Sequence, residues 1–177
     1  IKPQTSVGYL LENDDKSQTP PELNRFTGSG GISNAFVSIG FELFKNWGFG
    51  LSSSYAFGNL NHYHTKILED VELYTTVSSE SSVSGLDYNF STAYHKTFGE
   101  KITLYTGIIY QPEANYTSQN NQTINTINPN GNFGGDSEII DLSSMGLKET
   151  NIKIPKSISF GLGFGEDKKW YLGANYK

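Results

Sequence analysis

Residues 47–58 read WGFGLSSSYAFG, and their alternation decides the fold. Trp47, Phe49, Leu51, Ser53, Tyr55 and Phe57 share one face, while Gly48, Gly50, Ser52, Ser54, Ala56 and Gly58 share the other. A period of two belongs to a β-strand, whose successive side chains point to opposite sides. One face is large and mostly apolar; the other carries only the smallest side chains. A sandwich strand would set its apolar residues against long polar ones that cover a wet face. Small residues suit the inner wall of a membrane barrel instead, with the apolar face turned to lipid.

Just upstream, Ala35, Val37, Ile39, Phe41 and Leu43 alternate with Asn34, Phe36, Ser38, Gly40 and Glu42. Only Phe44, Lys45 and Asn46 separate the two runs, so a hairpin through Lys45 and Asn46 is expected. Val37, Ile39, Phe41, Leu51 and Tyr55 are the expected lipid-facing residues, with Ser38, Gly40, Ser52 and Ser54 facing the interior. Aromatics beside tight turns suit an interfacial girdle, which marks Phe44, Trp47, Phe98 and Trp170.

The grammar recurs twice. Leu86, Tyr88, Phe90, Thr92 and Tyr94 lead through Phe98, Gly99, Glu100 and Lys101 into Ile102–Gln111. Ile158, Phe160, Leu162 and Phe164 lead through Glu166, Asp167, Lys168 and Lys169 into Trp170, Leu172, Ala174 and Tyr176. Residues 59–82 and 112–155 are polar and poorly periodic, and they read as long extracellular loops whose parts 71–77 and 151–154 prolong strands. The whole chain, 1–177, then belongs to a single outer-membrane barrel domain of all-β, antiparallel, transmembrane type. About six or seven strands fall short of the eight in the smallest common barrels, so the chain reads as a section of a larger barrel.

Composition agrees. The 177 residues include no cysteine, which excludes thiolate chemistry, and 13 basic against 18 acidic residues with no basic cluster argue against nucleic acid. Mean hydropathy is −0.44, which does not count against a barrel, because alternating strands average out. Aromatics at 14% with 19 glycines favour strands over helices.

Few residues invite chemistry, so neither an enzyme nor a cofactor is expected. His62 and His64, at i and i+2, would point to one side of an extended segment and are the weak metal candidates, with Glu69 or Asp70 as a third ligand fixed by no spacing. His95 reads as a polar interior residue. Asn128, Asn130, Asn132, Asp136 and Glu138 superficially suggest a calcium loop, yet Phe133 and Ile139 stand where such a loop needs Gly and Glu. Gly161, Gly163 and Gly165 are the small face of a strand and no dinucleotide fingerprint, since no helix follows.

Four stretches together resemble the FadL-like (OmpP1-type) outer membrane transport proteins, in their Bacteroidota-type branch. These are Thr5–Tyr9, Gly28–Ile32, Phe44–Gly58 (FKNWGFGLSSSYAFG) and Phe160–Lys177 (FGLGFGEDKKWYLGANYK). The resemblance implies a barrel of about fourteen strands, within the bacterial range. It further implies passage of hydrophobic or amphipathic small molecules of the long-chain fatty acid type across the bacterial outer membrane. The family's N-terminal hatch motif is absent here, and no residue is carried over as a ligand contact. The expected partners are outer-membrane lipid, a hydrophobic small-molecule ligand and other envelope proteins. Two alternatives remain open: a structural or partner-binding barrel in an envelope assembly, and a soluble β-sandwich with adhesive or carbohydrate-binding loops.

Overall fold

A computed structural model describes residues 1–177 apart from 16, 18, 19, 100 and 167. Ten strands follow one another along the described residues, with no helix between them: β1 (Lys2–Asp15), β2 (Glu22–Phe44), β3 (Trp47–Leu68), β4 (Tyr74–Phe98), β5 (Ile102–Gln111), β6 (Ala114–Ile127), β7 (Phe133–Ile139), β8 (Glu149–Ile154), β9 (Ser157–Glu166) and β10 (Trp170–Tyr176). They form one antiparallel sheet in the order β1-β2-β3-β4-β5-β9-β10, with β6 pairing β4, β7 and β8 off this path. The all-β, antiparallel expectation is met; ten strands take the place of the six or seven expected in this chain, and a larger barrel of about fourteen strands is not shown.

The hairpins form where the alternation places them. Lys45 and Asn46 make the β2–β3 turn, and Asn46 takes a φ of 70°, which Asn tolerates better than most residues. Its backbone N–H donates to Glu42 Oε1 at 2.7 Å. In the other two hairpins Phe98 pairs with Ile102, and Glu166 with Trp170. Glu100 and Asp167, expected in those turns, lie outside the described residues.

Strand extends well into the stretches read as loops. β3 continues to Leu68 and β4 starts at Tyr74, leaving only 69–73 between them, and residues 112–155 contain β6, β7 and β8. Hydrophobic periodicity misses these segments because they are polar on both sides: β6 reads ANYTSQNNQTINTI. Their Thr, Asn and Gln side chains pair across strands, as Thr65 and Thr76 do at 2.9 Å.

Contacts divide the chain into two compact units. The first comprises Ile1–Asn34, Ala56–Ser84 and Tyr116–Ile152; the second comprises Ala35–Tyr55, Gly85–Asn115 and Lys153–Lys177. In the second, the parts of β2 and β3 and the whole of β5 and β9 run about ten residues, the length that crosses a bilayer as strand. The first carries five basic and twelve acidic residues, the second eight and six.

Within the first unit two glycines let β2 and β3 approach closely. Gly30 has a φ of +122°, and a Cβ there would meet the backbone carbonyl of Asn59; a Cβ on Gly58 would meet the carbonyl of Gly31. Neither position accepts a side chain without moving backbone.

The buried interior is small. Among the described residues Ala56, Val83, Tyr116 and Leu142 are the buried hydrophobic ones, and no large side chain is completely buried. Accessible surface is 12341 Å², where a soluble chain of 19.6 kDa folded around one core exposes about 8,600 Å².

Candidate functional site

Register defines the second unit's dominant surface. Across β4, β5, β9 and β10 the rows on one face run Phe98-Ile102-Glu166-Trp170, Lys96-Leu104-Phe164-Leu172, Tyr94-Thr106-Leu162-Ala174, Thr92-Ile108-Phe160-Tyr176 and, without a β10 residue, Phe90-Tyr110-Ile158. The opposite rows are smaller on the whole, among them Ala93-Gly107-Gly161, although they also carry His95, Tyr105 and Ile109. No described residue covers these rows: Ile108, Ile158, Phe160 and Leu172 are all exposed. Val37 and Ile39 on β2 are exposed by 69% and 64%, and Phe41, Leu51 and Tyr55 are exposed as well. A soluble monomer rarely leaves an apolar patch beyond a few hundred Å² uncovered.

One end of these rows carries aromatics and lysines together. Trp47 packs against Tyr94 with ring centroids 5.2 Å apart, and Trp170 meets Phe164 edge-on at 5.8 Å. Phe44 and Phe98 are exposed beside the turns. The Lys96 ammonium lies 5.3 Å from the centre of the Phe98 ring. Sequence reading places Tyr94 in the alternation that leads to Phe98 but passes over Lys96, which falls in the same alternation.

The small-residue face holds a buried carboxylate. Ser54 Oγ lies 3.0 and 2.9 Å from the two carboxylate oxygens of Asp87, and both residues are buried. His95 lies on the same face, its ring 6.4 Å from that of Tyr105.

In the first unit, His62 and His64 do point to one side, but each ring has its own partner. His62 Nδ1 is hydrogen-bonded to the Tyr9 hydroxyl at 2.5 Å, and His64 Nε2 donates to Asn24 Oδ1 at 2.7 Å. Phe26 stacks on both, 4.4 Å from His64 and 6.4 Å from His62. Asn24 Nδ2 donates onward to Glu22, whose other oxygen meets Lys66 Nζ at 2.6 Å. The hydrogen bond from Lys66, then that from Asn24, holds the Glu22 carboxyl below its ordinary value of 4.5. Among the described residues no three His, Cys, Asp or Glu side chains come together to hold a metal. Sequence alone missed Tyr9, Asn24 and Phe26, which reach the histidines from strands distant in the chain.

The Asn-rich segment uses its side chains locally. Asn128 Oδ1 accepts from the backbone N–H groups of Asn130 and Asn132 at 3.0 and 2.9 Å, which closes a turn.

An antiparallel sheet with one small face and one uncovered apolar face is the architecture of an envelope β-protein. A family model described as BamG matches residues 1–177, and the chain belongs to the BamG family. That family is associated with the outer membrane or envelope and with other envelope proteins. No curated protein matches the chain, and no solved structure does either.

The match overturns the FadL-like resemblance, because BamG is a different family, and with it the transport of fatty-acid-like compounds. The expected hydrophobic small-molecule ligand falls with it. The physical reason for the error is that aromatic-glycine alternation around tight charged turns is required of many barrel walls, so it cannot separate one barrel family from another.

Proposed function

We propose that the chain is part of an outer-membrane β-barrel wall that binds partner proteins in BAM-associated outer-membrane assembly. Its role is binding and not catalysis. The observation that carries the membrane reading is the uncovered apolar face of the second unit, five rows deep on β4, β5 and β9. In water such a face would drive aggregation; against hydrocarbon it is the matched surface.

The lipid-facing residues are then Val37, Ile39, Phe41, Leu51 and Tyr55. Phe44, Trp47, Phe98 and Trp170 lie at the interface, with Lys96 extending its amine toward the headgroups. Tight turns suit the periplasmic side, and residues 59–82 and 112–155 the outside. β2, β3 and β4, of 23, 22 and 25 residues, are about twice the length a bilayer needs. Their surplus, with β1 and β6, gives folded surface outside the hydrocarbon on which a partner can dock.

The test is affinity isolation of the tagged protein from outer membranes in mild detergent. Reproducible, near-equimolar recovery of envelope assembly proteins is expected. Recovery of the protein by itself, under conditions that keep other envelope complexes intact, overturns the reading.

A further inference from the structure

The first unit carries a cleft that involves neither the apolar membrane face nor the His62 and His64 cluster. Its volume is about 480 Å³, within the range of roughly 300 to 1,000 Å³ that sites for small organic ligands occupy. Gln119, Asn120 and Asn121 contribute to its lining from β6, and Ser143, Lys148 and Glu149 from the segment that leads into β8.

The cleft is held in shape by its own framework. The Asn120 backbone N–H donates to the Lys148 carbonyl at 2.8 Å. Asn120 Nδ2 donates to the Leu147 carbonyl at 2.9 Å and to Thr150 Oγ1 at 3.1 Å, while its Oδ1 accepts from the buried Ser118 hydroxyl at 2.9 Å. Between Leu142 and Leu147 the chain closes on itself. The Leu147 N–H donates to the Leu142 carbonyl at 2.9 Å, and the Gly146 N–H donates to Ser143 at 3.1 Å. Gly146 takes the φ of 67° that this turn needs, and buried Leu142 anchors it. A site shaped before its ligand arrives loses less entropy on binding.

The groups left over define the ligand. Among the described residues, the side chains of Gln119, Asn121, Lys148 and Glu149 make no hydrogen bond or ion pair, and all four are exposed. The two amides offer donors and acceptors together, Lys148 offers donors only, and Glu149 offers acceptors only. A phosphate or sulfate would meet the Glu149 carboxylate, and a cation would meet the Lys148 ammonium. An apolar ligand would strip water from four polar side chains and leave them unsatisfied. Neighbouring sugar hydroxyls each donate and accept, so a neutral polyhydroxylated ring satisfies all four groups at once.

We propose that this cleft is a binding site for a neutral saccharide, held by the Gln119 and Asn121 amides, the Lys148 ammonium and the Glu149 carboxylate. The inference goes beyond the partner-binding reading and uses only its placement of residues 112–155 outside the membrane, where surface glycans are within reach.

The experiment applies the full protein in lipid nanodiscs to an array of neutral oligosaccharides and of sialylated or sulfated ones. Retention of neutral glycans is expected. Asn121→Ala and Glu149→Ala each reduce that retention several-fold with the unfolding midpoint unchanged, because Asn120 and not these residues holds the framework. Asn130→Ala, an exposed position in the same segment that does not line the cleft, leaves retention as it was. Saturation-transfer NMR with the best-retained neutral glycan, free in solution, repeats the comparison without the array surface. Retention of no neutral glycan, retention of acidic glycans alone, or binding that survives both cleft substitutions overturns the proposal.

Discussion

The Lys96 ammonium stands over the face of Phe98, 5.3 Å from the ring centre, at the end of the sheet where the tight turns lie. Lys96 belongs to the row of Leu104, Phe164 and Leu172, so its charge rises from an otherwise apolar row. Such a residue is stable at a membrane boundary, where the stem lies along apolar surface and the amine reaches water.

Trp47 and Trp170 are the only two tryptophans and both lie at that end, so intrinsic fluorescence reports its depth. In vesicles of brominated lipids, quenching is expected to be strongest with bromine near the headgroups and weakest with bromine at the chain ends. Maximal quenching from the chain ends would place the belt in the wrong part of the bilayer.

Ile39 and Ser38 alternate across β2, with Ile39 on the side of Val37 and Phe41 and Ser38 on the other. Ile39→Arg is expected to lower stability by about 2 to 4 kcal/mol if its position is near the bilayer midplane, with Ser38→Arg much milder. Urea unfolding in lipid vesicles reads both, and equal losses would mean that the faces are misassigned.

These faces were legible in the sequence because alternation is local: Val37, Ile39 and Phe41 declare their side without reference to any other strand. The turn at Lys45 and Asn46 was legible for the same reason. The length of β3 and β4 was not, because Thr65 and Thr76 are held by a hydroxyl pair between strands, which leaves no hydrophobic period. His62 and His64 were correctly placed on one side, whereas Tyr9 and Asn24 reach them across separations of 53 and 40 residues. The family was hidden because the physics that spaces aromatics and glycines in a barrel wall is common to many barrels.

Gly30→Ala is expected to cost about 1 to 3 kcal/mol from its positive φ, with a further loss from the contact with Asn59. Gly8 pairs with Ser29 in the neighbouring ladder, and a Cβ there meets nothing within 4 Å. Gly8→Ala should therefore be neutral or mildly stabilising. Comparison of unfolding midpoints checks both, and a harmless Gly30→Ala would contradict the close approach of β2 and β3.

Glu22 has its carboxyl held below 4.5 by Lys66 and Asn24, so the ionised form is favoured in the folded state. Its contribution to stability is fully present above 4.5 and is lost as pH falls through the lower folded value. Lys66→Met removes the larger cause, and a carbon-detected NMR titration should show the Glu22 carboxyl moving back toward 4.5. No movement would show that Lys66 does not set the shift.

The most direct test of a role in outer-membrane assembly is depletion of this protein followed by quantitative proteomics of isolated outer membranes. The account predicts that several unrelated β-barrel proteins fall in abundance together while inner-membrane proteins hold steady. Unchanged levels of all other barrel proteins after complete depletion would contradict it.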